Sequence, residues 1–332
     1  MTKILTITIP TYNVEKYLEQ CLNSFIIPEI LQDLEVLIVN DGSTDSSAEI
    51  AKKYTEKYPD TFILIEKENG GHGSTINTGI AAANGKYFKV VDSDDWVDEN
   101  AMLHLVEALK KDDADLVFSN YYWVDNDTGR QTVEFEKPFS DVKYNKKYMM
   151  NELPHDIFLK MHGYTIRTDI LRKIQKIDEH CFYVDMEYVV FPIPYIETVK
   201  FIPDFVYLYR VGLPGQSMNA EKMKRNSKNF DRVFNRLIKF YDEQVSMGLS
   251  EMKKSYMEHV LARLFASRIK IYLSFPFSRK IFSEMKKLDK YIKINYTCIY
   301  NANINKAVKM LRRTGYLAYP AAKISYRVQH KK

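Results

Sequence analysis

Cysteine is scarce in this sequence. Among the 332 residues only Cys21, Cys181 and Cys298 carry a thiol, and no two of them form a Cys-x-x-Cys motif. An odd number of widely separated cysteines argues against a disulfide framework and against a zinc site. We therefore expect the chain to work in a reducing compartment.

Long apolar runs are also missing. No stretch approaches the roughly 18–20 apolar residues that a membrane-spanning helix needs. The N-terminus, MTKILTITIPTYN, lacks the charged and apolar regions of a signal peptide, so we expect none. Hydrophobic residues nevertheless make up 45% of the chain and aromatic residues 13%, which is enough for a packed core. The sequence therefore predicts a folded protein without a membrane span.

Acidic residues are few in the last third of the chain. Residues 220–332 contain 26 Lys and Arg but only 8 Asp and Glu, whereas residues 1–219 contain 22 and 35. A chain polarised in this way is expected to have two parts with different partners. We predict a domain over residues 1–219 and a basic, mostly helical region over residues 220–332.

The first 125 residues alternate between strand and helix patterns. Apolar runs predict strands at residues 4–9, 34–39, 61–65, 87–91 and 115–121, with Pro10 ending the first. Helices are predicted at residues 48–57, 75–83 and 99–110, after a glycine-rich loop at 70–74. Such alternation predicts an α/β fold with a mostly parallel sheet covered by helices. The polar loops at 10–13, 40–45 and 92–95 should then meet at the carboxyl edge of the sheet, where ligands bind.

The loop VVDSDDWV places three carboxylates within four positions, directly after an apolar run. A helix N-terminus favours acidic residues and would explain Asp95 or Asp98. It explains less well why Asp92 is the first residue after a buried strand. Carboxylates at a strand end can instead bind a hard cation such as Mg²⁺ or Mn²⁺, which usually shares its coordination with a phosphate. The loop therefore suggests a nucleotide diphosphate linked to the protein through a metal.

Four motifs occur in a fixed order: TIPTYN, VNDGSTDSS, ENGGHGSTINTGIAAANGKY and VVDSDDWV. Together they resemble family 2 glycosyltransferases of the GT-A fold, of the bacterial polysaccharide and glycolipid type. The resemblance implies an inverting transferase that moves one hexose or N-acetylhexosamine from a nucleotide sugar, most often UDP-linked, with Mn²⁺ or Mg²⁺. It also implies a donor-binding half at about residues 1–125 and an acceptor half at about 126–219.

The resemblance also implies roles for individual residues. Asp41 would accept a hydrogen bond from the uracil N–H, although an Asx-turn within NDGS explains this aspartate as well. Asp94 would be the main metal ligand and Asp92 would face the ribose and the metal. His72 could take the place of a phosphate-binding arginine that this chain lacks. The nucleoside and diphosphate pocket would be lined by Pro10, Thr11, Tyr12, Asn69, Gly71 and Asn77.

The general base is expected in the segment FYVDMEY, residues 182–188. The resemblance favours Asp185, with Glu187 as the alternative and an N-terminal helix carboxylate as the non-catalytic explanation. On a helix, residues two apart face different directions, so both cannot aim at one atom. His162 would lie near the acceptor pocket or serve only the structure.

The basic region admits three interpretations: a solvated helical face, a nucleic-acid surface, or a surface that docks on anionic lipid. The resemblance favours docking, since many such enzymes act on lipid-diphosphate-linked sugars. We therefore expect a cytoplasmic enzyme of capsule, exopolysaccharide or related cell-surface polysaccharide synthesis, peripherally associated with the inner face of the cell membrane and without a nucleic-acid partner. A non-catalytic nucleotide- or glycan-binding component of a polysaccharide assembly complex remains the alternative.

Overall fold

The computed structural model describes residues 3–133, 142–154, 157–213 and 220–329. The chain divides into two compact units, Met1–Pro214 and Gly215–Lys332. The structure thus divides the chain after residue 214, whereas the sequence predicts a division after residue 219. Apolar side chains are buried within each unit.

The first unit is built from strands and short helices. Among its described residues the strands are β1 (Leu5–Thr11), β2 (Leu34–Asn40), β3 (Phe62–Glu66), β4 (Tyr87–Val90), β5 (Trp96–Val97), β6 (Leu116–Asp125), β7 (Gln131–Thr132), β8 (Lys147–Met149), β9 (Tyr164–Arg167) and β10 (Thr198–Val211). The helices are α1 (Leu18–Asn23), α2 (Ser47–Lys57), α3 (His72–Ala82), α4 (Glu99–Lys111), α5 (Thr168–Leu171) and α6 (Asp185–Val190).

These strands form one sheet. Its main path runs in the order β3-β2-β1-β4-β9-β6-β10-β5, with β7 beside β6 and β8 beside β10. The pairs β1–β2, β2–β3, β1–β4 and β6–β10 are parallel, whereas β9 runs antiparallel to both β4 and β6. The predicted α/β fold with a mostly parallel sheet is therefore confirmed, and the loops after β1, β2 and β4 leave the same edge of the sheet.

The expectation that Pro10 ends the first strand is wrong, because β1 continues to Thr11. The strand β4 pairs with β1 only as far as Thr8, while Pro10 stays in register with Val39 of β2. Thr8 turns its carbonyl toward β4, and residues two apart on a strand point the same way. The N–H that proline lacks would therefore point to the side where the ladder has already ended.

The expectation that residues 70–74 form a loop holds only in part, because α3 already begins at His72. Gly71 precedes the helix with φ at 80°, in the left-handed region that favours glycine. A Cβ at Gly73 would come within 2.0 Å of the carbonyl oxygen of Asp178. Glycine in the first turn therefore lets a later segment of the chain pack directly against α3.

The second unit is helical among its described residues, which confirms the helical character predicted for the C-terminal region. Its helices are α7 (Ala220–Arg225), α8 (Ser227–Ser246), α9 (Glu251–Ser274), α10 (Arg279–Asn295), α11 (Thr297–Asn301), α12 (Lys306–Arg313) and α13 (Tyr319–Gln329). In the part of the chain that the structure describes, no helix combines the length and the apolar character needed to cross a membrane.

Candidate active site

Asp41 organises the loop between β3 and α3. Its carboxylate accepts hydrogen bonds from the backbone N–H groups of Gly70 at 2.9 Å and Gly71 at 2.7 Å, and from Lys67 Nζ at 2.7 Å. The side chain of Asn69 donates to the Asp41 carbonyl oxygen at 2.9 Å. Asp41 is almost completely buried, and backbone N–H donors together with a lysine stabilise its charge. We call residues 67–71 with Asp41 the glycine loop.

The residues that end β1 lie beside this loop. The backbone N–H of Asp41 donates to the Thr11 carbonyl oxygen at 2.8 Å. Tyr12, the next residue, has 50% of its surface exposed, although it is a large aromatic side chain. The structure therefore brings Pro10, Thr11 and Tyr12 to the same edge as Asp41, and their contacts with a nucleoside stay a prediction.

Asn77 has a different surrounding. Its amide oxygen accepts the N–H of Ile177 at 2.9 Å, and its amide nitrogen donates to the Ile177 carbonyl oxygen at 2.9 Å. These two bonds turn the side chain toward the later segment of the chain rather than toward the glycine loop. The role predicted for Asn77 in donor binding stays untested.

Asp92 forms an ion pair with His72 at the start of α3. His72 Nε2 lies 2.8 Å from Asp92 Oδ1. Burial alone would lower the pKa of His72, but the charges of Asp92, Asp185 and Asp94 raise it. Burial alone would raise the pKa of Asp92, but the charge of His72 outweighs burial and lowers it. The acidic neighbours therefore favour the protonated form of His72, and the phosphate contact predicted for it stays a prediction.

The other two carboxylates of the acidic loop (residues 92–95) differ from each other. Burial and the neighbouring Asp92 raise the pKa of Asp94 to about 6. Asp95 is 1% exposed and accepts hydrogen bonds from the Tyr207 hydroxyl at 2.6 Å and from the backbone N–H of Arg210 at 2.7 Å. Asp95 therefore ties the acidic loop to β10, while Asp94 carries a charge that burial and Asp92 make costly.

Arg210 supports the acidic loop from β10. Its Nε–H donates to the carbonyl oxygen of Asp94 at 2.8 Å. The guanidinium lies 5.0 Å from the ring centre of Tyr17 and 4.6 Å from that of Trp96. A planar cation between two aromatic rings is held in one orientation, so it can fix the backbone to which it donates.

Asp185 is the first residue of α6 and belongs to the same electrostatic cluster. Burial, followed by the charge of Asp92, raises its pKa, although His72 opposes this shift. Tyr183, two residues earlier, has φ at 69°, a strained conformation for a bulky side chain. Such strain concentrates at functional sites, where the surrounding structure imposes it.

Glu187, the alternative base, has a structural position. It is fully buried, and its Oε2 accepts the backbone N–H of Asp178 at 2.8 Å. The residues between Asp178 and Glu187 are held at a second point, where the backbone N–H of His180 donates to the Gly70 carbonyl oxygen at 2.6 Å. The Glu187 carboxylate thus holds the chain that leads to Asp185 in place. This structural role favours Asp185 as the base, and the assignment stays a prediction.

Lys89 and Tyr207 also build this site, and the sequence motifs predict neither residue. Lys89 is fully buried on β4, and its Nζ donates to the carbonyl oxygens of His162 at 2.6 Å and Tyr164 at 3.1 Å. Burial lowers its pKa to about 7. A lysine inside the apolar run KYFKVV was a usable signal, because buried lysines are rare.

The donor atoms at the acidic loop suit a hard divalent cation, since Mg²⁺ and Mn²⁺ prefer carboxylate oxygens. Within the described ranges no three His, Cys, Asp or Glu side chains form a group that could hold a metal ion. Asp92 and Asp94 would therefore have to share such an ion with oxygens from another molecule. The metal role predicted for Asp92 and Asp94 stays a prediction.

Two proteins of Bacillus subtilis are similar to this chain in sequence. The glycosyltransferase EpsJ of Bacillus subtilis (strain 168) is 31% identical over 217 residues, 63% of this chain and 62% of EpsJ. The minor teichoic acid biosynthesis protein GgaB of the same strain is 28% identical over 257 residues, 74% of this chain and 28% of GgaB. The chain thus spans less than two thirds of the length of either relative.

A solved structure has the same fold. The crystal structure of S. aureus TarS residues 1–349 in complex with UDP-GlcNAc superposes with a TM-score of 0.65 at 17% identity, over 99% of this chain and 90% of that one. At this identity the likeness establishes the fold. The family model described as glycosyl transferase family 2 matches residues 6–175, just over half of the chain. That region holds the glycine loop and the acidic loop, and the chain therefore belongs to glycosyl transferase family 2.

Proposed function

We propose that this protein transfers one sugar from a nucleotide diphosphate sugar, with inversion at the anomeric carbon, to a hydroxyl group of a glycan or lipid-linked acceptor. The observation that carries the proposal is the acidic loop at the carboxyl end of β4, with His72 and Asp185 in its electrostatic field. TarS was solved with UDP-GlcNAc. A UDP-linked hexose or N-acetylhexosamine is therefore the donor that we expect.

The bond-making step needs a nucleophile and a base. The acceptor oxygen forms a bond to the anomeric carbon, and the bond from that carbon to the diphosphate breaks. The diphosphate leaves with the electron pair, and the acceptor proton passes to the Asp185 carboxylate. A general base contributes about 10²–10⁴-fold to such a reaction. The raised pKa of Asp185 supports this role, since it brings the carboxylate closer to the operating pH.

The acidic loop would hold the divalent ion. Asp94, with Asp92, would bind Mn²⁺ or Mg²⁺, which when bound offsets the negative charge that grows on the leaving diphosphate. Arg210 keeps the backbone of Asp94 in place. The donor uracil would lie at the glycine loop, where Asp41 already orders the backbone N–H groups.

The test is a calorimetric titration of UDP into the full chain, with Mn²⁺ and then with EDTA, for the wild type and Asp94→Asn. We expect UDP binding to need the metal and to weaken at least about a hundredfold in Asp94→Asn, because a metal-bridged diphosphate loses its main ligand. Asp98→Asn is the matched control. Asp98 caps α4 by accepting the N–H of Ala101 at 2.9 Å, and asparagine caps helices equally well.

The other outcomes are equally informative. UDP binding that is independent of metal would contradict the role of Asp94 while keeping the nucleotide site. UDP binding without release of UDP from any UDP-sugar would favour the non-catalytic glycan-binding alternative. Absence of UDP binding under every condition would contradict the UDP donor, and the titration would then be repeated with other nucleoside diphosphates.

The proposal extends to the membrane. One exposed face of α12 and the residue that follows the helix line a cavity of about 290 Å³. The residues of this surface, which we call the α12 face, are Lys306, Lys309, Met310, Arg313 and Thr314. Leu317, just beyond the helix, is 87% exposed. Cations around exposed apolar side chains suit the interface of an anionic leaflet, where each basic residue contributes about 1 kcal/mol. We infer peripheral docking at the inner face of the cell membrane, where lipid-diphosphate-linked acceptors are presented.

GgaB, named for minor teichoic acid biosynthesis, supports a role in cell-surface polysaccharide synthesis.

A further inference from the structure

A row of aromatic side chains lies along one face of the sheet. In the register of β6 and β10, Tyr121 pairs with Tyr207 and Trp123 pairs with Tyr209. Residues in register on parallel strands project from the same face, and residues two apart on a strand do so as well. The four rings therefore share one face, while Tyr122 projects from the other.

His162 completes this surface from the turn before β9. Its ring centre lies 5.2 Å from that of Tyr121, 4.9 Å from Tyr207 and 4.5 Å from Tyr209. The buried Lys89 holds the His162 carbonyl oxygen at 2.6 Å and so fixes the turn. Tyr207 is buried, whereas the other four rings are half-buried. We call these four half-buried side chains the aromatic wall: Tyr121, Trp123, His162 and Tyr209.

The aromatic wall lies close to the acidic loop. Burial raises the pKa of Tyr209, and the charges of Asp95, Asp92, Asp94 and Asp185 raise it further, so its hydroxyl lies within the field of all four carboxylates. The Tyr207 hydroxyl donates to Asp95 at 2.6 Å and accepts the backbone N–H of Asp92 at 3.1 Å. Tyr207, whose ring packs against His162 of the wall, is thus hydrogen-bonded directly to the acidic loop.

The order of the strands separates the wall from the glycine loop. In the order β3-β2-β1-β4-β9-β6-β10-β5, the glycine loop and Asp41 follow β3 and β2, whereas the wall lies on β6, on β10 and before β9. The acidic loop leads from β4 to β5, which pairs with β10, and so it spans the edge of the sheet between them. A nucleotide at the glycine loop would therefore occupy one flank of the acidic loop and leave the other flank to the second substrate.

We propose that the aromatic wall binds a pyranose ring of the acceptor, so that the acceptor is a glycan ending in a pyranose rather than a polyol phosphate. The inference rests on the proposed function. A pyranose presents an apolar face of C–H groups that stacks on aromatic rings, while its hydroxyls need polar partners such as His162 and the Tyr209 hydroxyl. A polyol phosphate lacks a flat apolar face that could stack on these rings.

The test uses the full chain with UDP and Mn²⁺ and compares methyl pyranosides of glucose, galactose, mannose and N-acetylglucosamine with ribitol 5-phosphate and glycerol 3-phosphate. Binding is followed by tryptophan fluorescence, since the chain has only Trp96 and Trp123, and Trp123→Phe assigns the signal. Release of UDP from a UDP-sugar reports turnover. We expect at least one pyranoside to bind, and Tyr121→Ala to weaken its binding about tenfold with UDP affinity changed less than about twofold.

Tyr122→Ala is the matched control. Tyr122 has the same residue type one position away, but it stacks on Phe205 with ring centres 4.2 Å apart on the opposite face. We expect this variant to leave pyranoside binding unchanged. Polyol phosphates that bind as well as the pyranosides, no response to any pyranoside, or equal losses in Tyr121→Ala and Tyr122→Ala would overturn the inference.

Two further measurements keep the outcome decisive. Thermal unfolding shows whether Tyr121→Ala folds. If it does not, the comparison of pyranosides with polyol phosphates on the wild type, with the fluorescence signal assigned by Trp123→Phe, still tests the inference. If UDP itself neither binds nor is released from a UDP-sugar, the proposed function has failed; intact UDP binding without pyranoside preference means that the wall alone has failed.

Discussion

The two units of this protein carry their charges in opposite ways. In the first unit the carboxylates of Asp92, Asp94 and Asp95 are gathered at the end of one strand. Burial and mutual repulsion raise the pKa values of Asp94 and Asp95, whereas the charge of His72 lowers the pKa of Asp92. In the second unit Lys306, Lys309 and Arg313 project from an exposed helix face. Buried charge responds to its immediate neighbours, whereas exposed charge sums over a surface and is screened by salt. Variants in one unit should therefore change turnover, and variants in the other should change membrane binding.

The largest effect should come from Asp185→Asn, which removes the proposed base. We expect kcat for sugar transfer to fall about a thousandfold while the affinity for UDP stays within about twofold, because the base acts on the acceptor proton. Steady-state kinetics and the UDP titration check both halves.

Glu187→Gln separates the two candidate bases. Glu187 is buried against the backbone N–H of Asp178, so this variant should lower the melting temperature and leave most of kcat in place. A loss of kcat in Glu187→Gln as large as that in Asp185→Asn, without a change in stability, would reassign the base. Neither variant should alter binding to vesicles.

The next effect should come from the α12 face. Lys306→Gln, Lys309→Gln and Arg313→Gln together should weaken binding to vesicles with anionic phospholipid about a hundredfold at low salt, since three contributions of about 1 kcal/mol are lost. Cosedimentation checks this, and UDP affinity should not change.

The control replaces three other exposed cations of the same unit, Arg225, Lys228 and Lys270, by glutamine. The net charge change is the same, so equal losses in both triple variants would mean that total charge rather than the α12 face drives binding. Wild-type protein that stays in solution with anionic vesicles at low salt would contradict docking itself.

The smallest effect should be the pH dependence of the first unit. Burial and Asp92 raise the pKa of Asp185, and a base must be ionised to accept a proton, so kcat/KM should rise with pH through this raised pKa. The acid limb should lie above the ordinary range of an aspartate and fall about tenfold per pH unit below the pKa. It should persist with Mn²⁺ saturating at every pH; disappearance at saturating metal would assign the limb to Asp94.

The sequence predicts the fold well because its signals are local. Apolar runs and short polar turns define β1 to β4, and the motifs after them place Asp41 and the acidic loop at one edge. The errors have physical causes. Pro10 was expected to end a strand, but it lies where β4 no longer needs its N–H. The helix α3 begins at His72 within a glycine-rich stretch, and Gly73 in its first turn leaves room for the carbonyl oxygen of Asp178.

The rest of the site could not be predicted, because it depends on contacts between residues far apart in the sequence. Nothing near Lys89 in the chain announces that it holds the turn of His162, and Arg210 meets the acidic loop only after β10 has joined the sheet. A buried cation or tyrosine is recognisable in a sequence as unusual. Its partner becomes visible only when the strands have been placed side by side.

The segment from residue 177 to residue 187 is held at three places: Asn77 bonds Ile177, Gly70 bonds His180, and Glu187 bonds Asp178. A surface loop can usually be lengthened, exchanged or grafted, but this one has its length set by fixed points on the glycine loop, α3 and α6. An insertion here would displace Asp185 from the acidic loop even if every catalytic side chain were kept. For protein engineering, the segment and α3 form a single part that must be transplanted together.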